Sequence, residues 1–348
     1  MATGDRVVLV TGVSRDLGRH FARSLAANRC VGRVIGVDVV PPRGDIGDVS
    51  FVRADIRNPV IAKVIKAAAV DTVVHMNVIA TPVHAGGRSA MKEINVIGTM
   101  QLLAACQRAA TVERLVVKSS ATVYGVSPKD PAMFTEDMEA VRLPRSGFAK
   151  DSVEVEGYVR GFARRRPDVE VTMLRFANIM GPGIDTPMTR YFSLPVVPTV
   201  LGFDGRLQFT HEDDALTAME AATWGKSPGT YNVGGDGVLM LSQAISMAGR
   251  VNLPLPRPFA SMARDLVRRM GYIDFTSEQI EYLKYGRGID TSRITERLGF
   301  TPSFSTVQTF EAFLQAHPMG RVLPWEASEG DALPPVTHLD GTIGRATP

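Results

Sequence analysis

Two periods of hydrophobic and polar residues alternate along the first half of the chain. Short, nearly unbroken apolar runs end at turn-forming residues. Between them lie segments whose apolar residues recur at helical spacing. The first run, Val7-Val8-Leu9-Val10, goes straight into Thr11-Gly12, as a strand covered on both faces does. Residues 19–27 follow as a helix, with Phe21, Ala22 and Leu25 on one side. Further strands are expected at 33–38, 51–57, 71–76, 115–120 and 171–176, with 121–125 completing the fifth. Helices are expected at 60–69, 91–110 and from the neighbourhood of Lys150 to Arg166, where Pro167 stops the last. Strict alternation through residue 180 predicts an α/β fold, a doubly wound parallel sheet with helices on both faces.

After Gly181 the pattern loosens. Pro182, Pro187, Pro195 and Pro198 break its regularity. Segments 259–270 and 277–285 read as amphipathic helices between loops. This predicts a large first domain over 1–180 and a smaller, irregular substrate lobe over 181–317, with some of its strands returning to the main sheet. Residues 318–348, rich in Pro, Gly and acids, read as a tail ordered only where Trp325 or a partner pins it.

The first strand–Gly–helix junction also predicts chemistry. Backbone N–H groups at the helix start and the helix dipole converge on one point, an anion site. In a Rossmann-type sheet the usual occupant is a dinucleotide diphosphate. Gly12 can take backbone angles closed to other residues, and Gly18 lets the helix lie close to the strand. The glycine fingerprint is incomplete, because Arg15 and Asp16 stand where a middle Gly would admit the diphosphate. Arg15 can replace a lost N–H with a guanidinium–phosphate pair, whereas Asp16 opposes an anion. A plain strand–helix turn without ligand fits these residues equally well.

The second strand separates the two readings. It ends in Asp38, at the distance where a carboxylate holds the adenosine ribose hydroxyls. A carboxylate there repels a 2′-phosphate, so NAD is expected over NADP, with Arg15 pulling weakly the other way. Asp55 leaves the third strand, placed either to accept the adenine amino group or to cap the next helix. His75 ends the fourth strand and reads as structural. Asn95 lies on the apolar stripe of a helix and needs partners, which backbone near the cofactor would supply.

Composition narrows the classes. The 348 residues are 45% hydrophobic and 22% charged, with a net charge of +3, which fits a globular chain and gives no reason to expect nucleic acid. Arg164-Arg165-Arg166 sits at a helix C-terminus, where cations favour the dipole. Two cysteines, Cys30 and Cys106, suit reduced thiols in a cytoplasm. With the first strand beginning so early, no signal peptide is expected, and no run approaches the ~20 apolar residues of a membrane span.

Several blocks together resemble the extended short-chain dehydrogenase/reductase family, in its branch of NAD-dependent nucleotide-sugar epimerases and dehydratases. They are Thr11-Gly12 with Gly18 and Asp38, Val73-Val74-His75, Asn95-Val96-Ile97-Gly98-Thr99, Ser119-Ser120-Ala121-Thr122-Val123-Tyr124-Gly125, residues 174–183, His211-Glu212-Asp213-Asp214-Ala215, residues 229–234 and Leu298-Gly299-Phe300-Thr301-Pro302. The resemblance spans residues 5–315. It implies cofactor contacts from Thr11, Gly12, Ser14, Arg15, Asp16, Leu17, Gly18, Asp38, Asp55, Ile56, His75, Asn95 and Lys150, with no metal. It also implies a homodimer built on helices 91–110 and 152–166, in which Ala104, Ala105, Val155 and Val159 exceed what one sheet face needs.

The family's chemistry uses a Tyr-x-x-x-Lys pair with a Ser. The phenolate takes a proton from a substrate hydroxyl, and the Lys holds the nicotinamide ribose and lowers the Tyr pKa. Here Ser120 matches the Ser and Lys150 the Lys, but Ser146 stands where the Tyr is required. Tyr124 is the nearby phenol that could be recruited. Asn178 and Arg190 fall on the substrate side. The expected function is therefore an NAD-binding oxidoreductase or epimerase of nucleotide sugars with altered acid–base groups. The alternative is a silent NAD(H)-responsive scaffold or sensor that sets a partner interface.

Overall fold

The computed structural model describes residues 6–76, 86–256 and 277–318. Strand β1 (Arg6–Thr11) runs through Gly12 into helix α1 (Asp16–Ala27), then β2 (Val31–Asp38), β3 (Val49–Arg53), α2 (Val60–Ala67) and β4 (Thr72–His75). Helix α3 (Arg88–Lys92), a π-helical turn (Glu93–Gly98) and α4 (Thr99–Arg108) form one continuous rod. Next come β5 (Arg114–Ser120), α5 (Gly147–Arg165) and β6 (Glu170–Phe176). These strands join β11 (Gly229–Val233) in a seven-stranded parallel sheet of order β11-β6-β5-β4-β1-β2-β3. The doubly wound fold read from the sequence is thus observed.

Strand alternation sends side chains to opposite faces, and each face has its own core. Val8, Val10, Val116, Leu174 and Val233 pack with Phe21 and Leu25 of α1. Leu9, Leu115 and Val117 pack with Leu102 and Cys106 of α4 and Val155, Val159 and Phe162 of α5. Phe21 and Leu25 are fully buried, which contributes about 1.5–3 kcal/mol each. Arg166 grips the end of α4, donating to the carbonyls of Cys106 (2.9 Å) and Ala109 (3.3 Å). Arg166 of the basic run therefore serves the end of α4.

The chain reverses its strand order between β1 and β4, which opens a crevice at the C-terminal strand ends. Beyond β6 lie β7 (Asn178–Met180), α6 (Pro187–Ser193), β8 (Val196–Val200), β9 (Arg206–Leu207), β10 (Phe209–His211) and α7 (Glu212–Trp224). After β11 come β12 (Leu239–Met240), α8 (Leu241–Met247), β13 (Val251–Leu255), α9 (Ser277–Tyr285), α10 (Ser292–Leu298) and α11 (Thr306–Ala316). Tyr191, Phe192, Phe209, Phe310 and Phe313 centre a separate apolar cluster in this part.

Three local expectations change. The third strand stops at Arg53, because Asp55 and Asn58 close a turn, Asn58 N–H to Asp55 O at 2.9 Å. Residues 121–124 are a 3₁₀ turn rather than strand, started by the Ser120 hydroxyl accepting from Thr122 N–H at 3.2 Å. The 91–110 helix begins at Arg88 and widens to a π-turn around Asn95. The expected helix 259–270, and Trp325 with the tail beyond residue 318, lie outside the described residues.

Candidate functional site

The crevice is built first by the Gly12 turn. Gly12 has φ +83°, in the region that glycine tolerates, and its N–H donates to Val37 O at 3.0 Å. A Cβ on Gly18 would lie 2.1 Å from Gly12 O, so α1 can approach the turn only because residue 18 has none. Asp16 turns to Arg19 at 3.1 Å on the surface, which draws its charge to the side. Leu17 packs partly into the core beneath.

Asp38 stands at the end of β2 against this turn, 7% exposed. Its Oδ2 accepts from Ser14 N–H at 3.0 Å and its Oδ1 from Val39 N–H at 2.8 Å. The Ser14 hydroxyl donates to Val40 O at 2.8 Å. Two backbone donors thus fix a carboxylate with lone pairs to spare, the arrangement that a ribose diol needs. Turn, glycine contact and carboxylate together fit a dinucleotide.

The rest of the predicted cofactor set divides. Thr11 and His75 turn inward: His75 Nδ1 meets Thr11 Oγ1 at 2.8 Å and its Nε2 meets Thr99 Oγ1 at 2.9 Å. The imidazole is fully buried, and burial, with the nearby Lys118 charge, pushes its pKa down to about 4. His75 is therefore a neutral structural link between β1, β4 and α4, which corrects its assignment as a cofactor contact. Asn95 is fully buried in the π-turn, where its carbonyl accepts from Thr99 Oγ1 at 2.5 Å. Asp55 pairs with Arg57 through Nε at 2.9 Å and accepts from Arg57 N–H at 2.9 Å, so its carboxylate stabilises the turn after β3. Ile56 beside it is buried, against Gly98.

The expected catalytic residues also divide. Ser120 ends β5 and partly faces out. Ser146 precedes α5, and Lys150 lies one turn along it, half-exposed, 3.8 Å from Glu154. Tyr124 cannot be recruited. It is 1% exposed, stacks on Phe134 at 4.6 Å between centroids, donates to Asn232 Oδ1 at 2.8 Å and accepts from Arg175 at 2.9 Å. Burial raises its pKa. Its place as a candidate acid is therefore corrected to that of a core residue. Arg175 ties this phenol to Glu156 at 2.7 Å, and Glu156 also accepts from Ser119 at 2.7 Å.

Asn178 opens β7 and bonds Tyr282 of α9. Arg190 on α6 pairs with Asp185.

Sequence reading missed two residues. Glu278 on α9 reaches Ser146, whose hydroxyl donates to its Oε1 at 3.2 Å. Burial raises the Glu278 pKa, against the Ser146 and Ala149 donors that lower it. No local signal could have found a contact spanning 132 residues. The other is Lys118, partly buried near the C-terminal end of β5. A cation at the end of Leu115-Val116-Val117 was visible as an anomaly in an apolar strand.

The model of the NAD dependent epimerase/dehydratase family matches residues 8–234. An uncharacterized protein of Mycobacterium tuberculosis (strain H37Rv) is 49% identical over 332 residues, covering 92% of this chain and 88% of that one. Among solved structures, UDP-glucose 4-epimerase of Thermotoga maritima with UDP-glucose aligns with a TM-score of 0.69 at 18% identity, over 89% of this chain and 98% of that one. UDP-glucuronic acid 4-epimerase of Bacillus cereus with UDP-glucuronic acid and NAD gives 0.69 at 20% identity, over 89% and 98%. dTDP-glucose 4,6-dehydratase of Bacillus anthracis with NAD gives 0.67 at 17% identity, over 91% and 97%. At these identities the structures share the fold.

Proposed function

The chain belongs to the NAD dependent epimerase/dehydratase family, and from that premise we propose that it is an NAD-dependent oxidoreductase of a nucleotide sugar with altered proton-transfer groups. The observation that carries the reading is Asp38, held by Ser14 and Val39 N–H groups against the Gly12 turn. Asp38 takes the adenosine ribose diol, the Gly12–Gly18 turn takes the diphosphate, and Lys150 takes the nicotinamide ribose. NAD, when bound, supplies a hydride acceptor. Ser120 holds the substrate hydroxyl that gives up its proton, with Asn178 and Arg190 toward the sugar nucleotide. Glu278, a carboxylate of raised pKa at the side chain of Ser146, is the proton acceptor in place of a phenol, since general-base work suits a group moved toward neutral pH.

The protein works in the cytoplasm as a homodimer. Ala105, Val155 and Val159 are spent on its own core, and Ala104 is exposed. The apolar surface left for a partner copy is Ile97, Met100 and Tyr158, 42%, 40% and 38% exposed. Among the described residues no helix is long and apolar enough to cross a membrane.

The test is incubation with NAD and a panel of UDP- and dTDP-sugars, with products separated by chromatography. Epimer, dehydrated sugar or reduced cofactor supports the reading, and NAD binding without any product refutes turnover. A second reading, a silent NAD(H)-responsive scaffold, is favoured by one observation: the Ser146 hydroxyl at the Tyr position is engaged by Glu278.

A further inference from the structure

The backbone of Lys118 pairs with β6 opposite Leu174, but its ammonium has no hydrogen bond or ion pair among the described residues. Its side chain leaves β5 on the face of Val116, because alternate residues of a strand share a face. Val116 packs with Val8, Val10 and Phe21 beside α1, so Lys118 points up that face toward the Gly12 turn. Its charged neighbours are few. Arg15 comes from the turn itself and is close enough to act electrostatically on the ammonium. His75 on β4 is neutral and bonded at both nitrogens. The carboxylate of Glu156 and the guanidinium of Arg175 belong to the opposite face, where Ser119 reaches Glu156. Helix α7 also packs on β5, but its acids are engaged elsewhere: Glu212 accepts from Gly183 N–H at 2.8 Å, Asp213 faces His211 at 3.5 Å and Asp214 accepts from Ser303 N–H at 2.9 Å. Lys118 and Arg15 therefore lie within electrostatic reach of each other, with no acid paired to Lys118. Holding a partly buried ammonium near a second cation, with no acid between them, costs stability. A site that maintains this cost is built for an anion that the protein does not itself carry.

The geometry points to a two-cation clamp, Lys118 from β5 and Arg15 from the turn, that holds the cofactor's diphosphate where the glycine fingerprint lacks its middle Gly. It rests on the NAD reading above. The clamp explains how Arg15 is tolerated. Its Cβ narrows the backbone route to the phosphates, and side-chain charge takes over from the lost amide contact. It also gives a pH signature. Burial, with Arg15 next, pushes the Lys118 pKa down to about 8. An anion binds the charged form, so affinity holds below that value and falls as pH rises through it.

Calorimetric titration of the full chain with NAD⁺, ADP-ribose and adenosine tests this. Lys118→Met should weaken NAD⁺ and ADP-ribose by about 10–100-fold, the loss of one charge-assisted contact, and leave adenosine unchanged. Lys118→Arg should keep the affinity and lose its decline above about pH 8. The ligand-free Lys118→Met protein should melt no lower than wild type, because the substitution removes an uncompensated charge. A residue serving only the core would lower it. Unchanged NAD⁺ affinity, or equal weakening of adenosine, overturns the clamp. If wild type binds no NAD⁺, the functional reading fails by itself, and inorganic pyrophosphate becomes the probe. Binding lost in Lys118→Met then upholds the anion clamp, and no binding by wild type overturns it.

Discussion

Ser146 and Glu278 stand 132 residues apart in sequence, yet the Ser146 hydroxyl donates to Glu278 Oε1 at 3.2 Å. A Cβ on the neighbouring Gly147 would lie 2.3 Å from Glu278 Oε2. The carboxylate therefore fills the space beside the start of α5, and a phenol cannot enter while it is there.

This makes a paired outcome for the Tyr position. Ser146→Tyr alone should fold less stably and gain nothing. Glu278→Ala should lose cofactor reduction with UDP-glucose or UDP-glucuronic acid, and Ser146→Tyr with Glu278→Ala should regain it, within the ~10²–10⁴-fold that acid–base help supplies. Absorbance of NADH after mixing reads the result. Gain in the single variant would show that the carboxylate does not hold the space.

The role proposed for Asp38 has a direct test. Asp38→Ala should weaken NAD⁺ about 10-fold, the loss of a charged hydrogen-bond acceptor, and narrow the margin over NADP⁺. Calorimetry with both cofactors measures it. NADP⁺ binding more tightly than NAD⁺ to wild type would mean that Arg15 outweighs the carboxylate.

Removing Glu156 should destabilise the fold rather than merely slow it. Its carboxylate pairs with Arg175 at 2.7 Å, and both side chains are at least nine-tenths buried. Glu156→Ala leaves Arg175 without its acid and should cost about 3–5 kcal/mol, read by chemical denaturation. Tyr124→Phe loses only one hydroxyl from the same network and should cost about 1–3 kcal/mol. Its effect on turnover should follow stability alone.

Acid should loosen the sheet through His75. Its native pKa of about 4 lies below the ordinary imidazole value of 6.5, so the unfolded chain takes up the proton first. Stability is full above pH 6.5 and is lost as pH falls toward 4, by up to about 3 kcal/mol. His75→Gln should flatten that part of the pH–stability curve. An unchanged slope would place the acid sensitivity elsewhere.

The proposed dimer has a simple measurement. Light scattering at micromolar concentration should give twice the chain mass, and Ile97→Glu with Tyr158→Glu should give the monomer. Two charges at the centre of an apolar contact are enough to split it. A monomeric wild type would sink the idea.

The sheet was legible because each strand carries its own unbroken apolar run, and Gly12, Gly18 and Asp38 because their spacing is local. Residues 121–124 misread as strand because their apolar side chains are buried in a 3₁₀ turn, for which a strand-like run gives no separate signal. His75 read as structural from its strand end and as a cofactor contact only through the resemblance, because the side chain's turn toward Thr99 depended on a helix 24 residues away. Glu278 was illegible for the same reason at greater range. Lys118 was readable as a charge in an apolar run, but its meaning needed Arg15 beside it.

Strand β11 completes the sheet beyond β6, with Gly229 opposite Thr172 and Val233 opposite Phe176. Ala177 N–H also reaches Val233 O at 2.8 Å. During synthesis, then, β6 emerges about fifty residues before the strand that covers it. Until residue 233 is free, β6 has a row of unpaired amides and carbonyls, an edge on which another nascent chain can pair. A fragment cut at residue 180 stays in that condition permanently. It should precipitate when expressed alone, and the same piece extended to residue 234 should stay in solution.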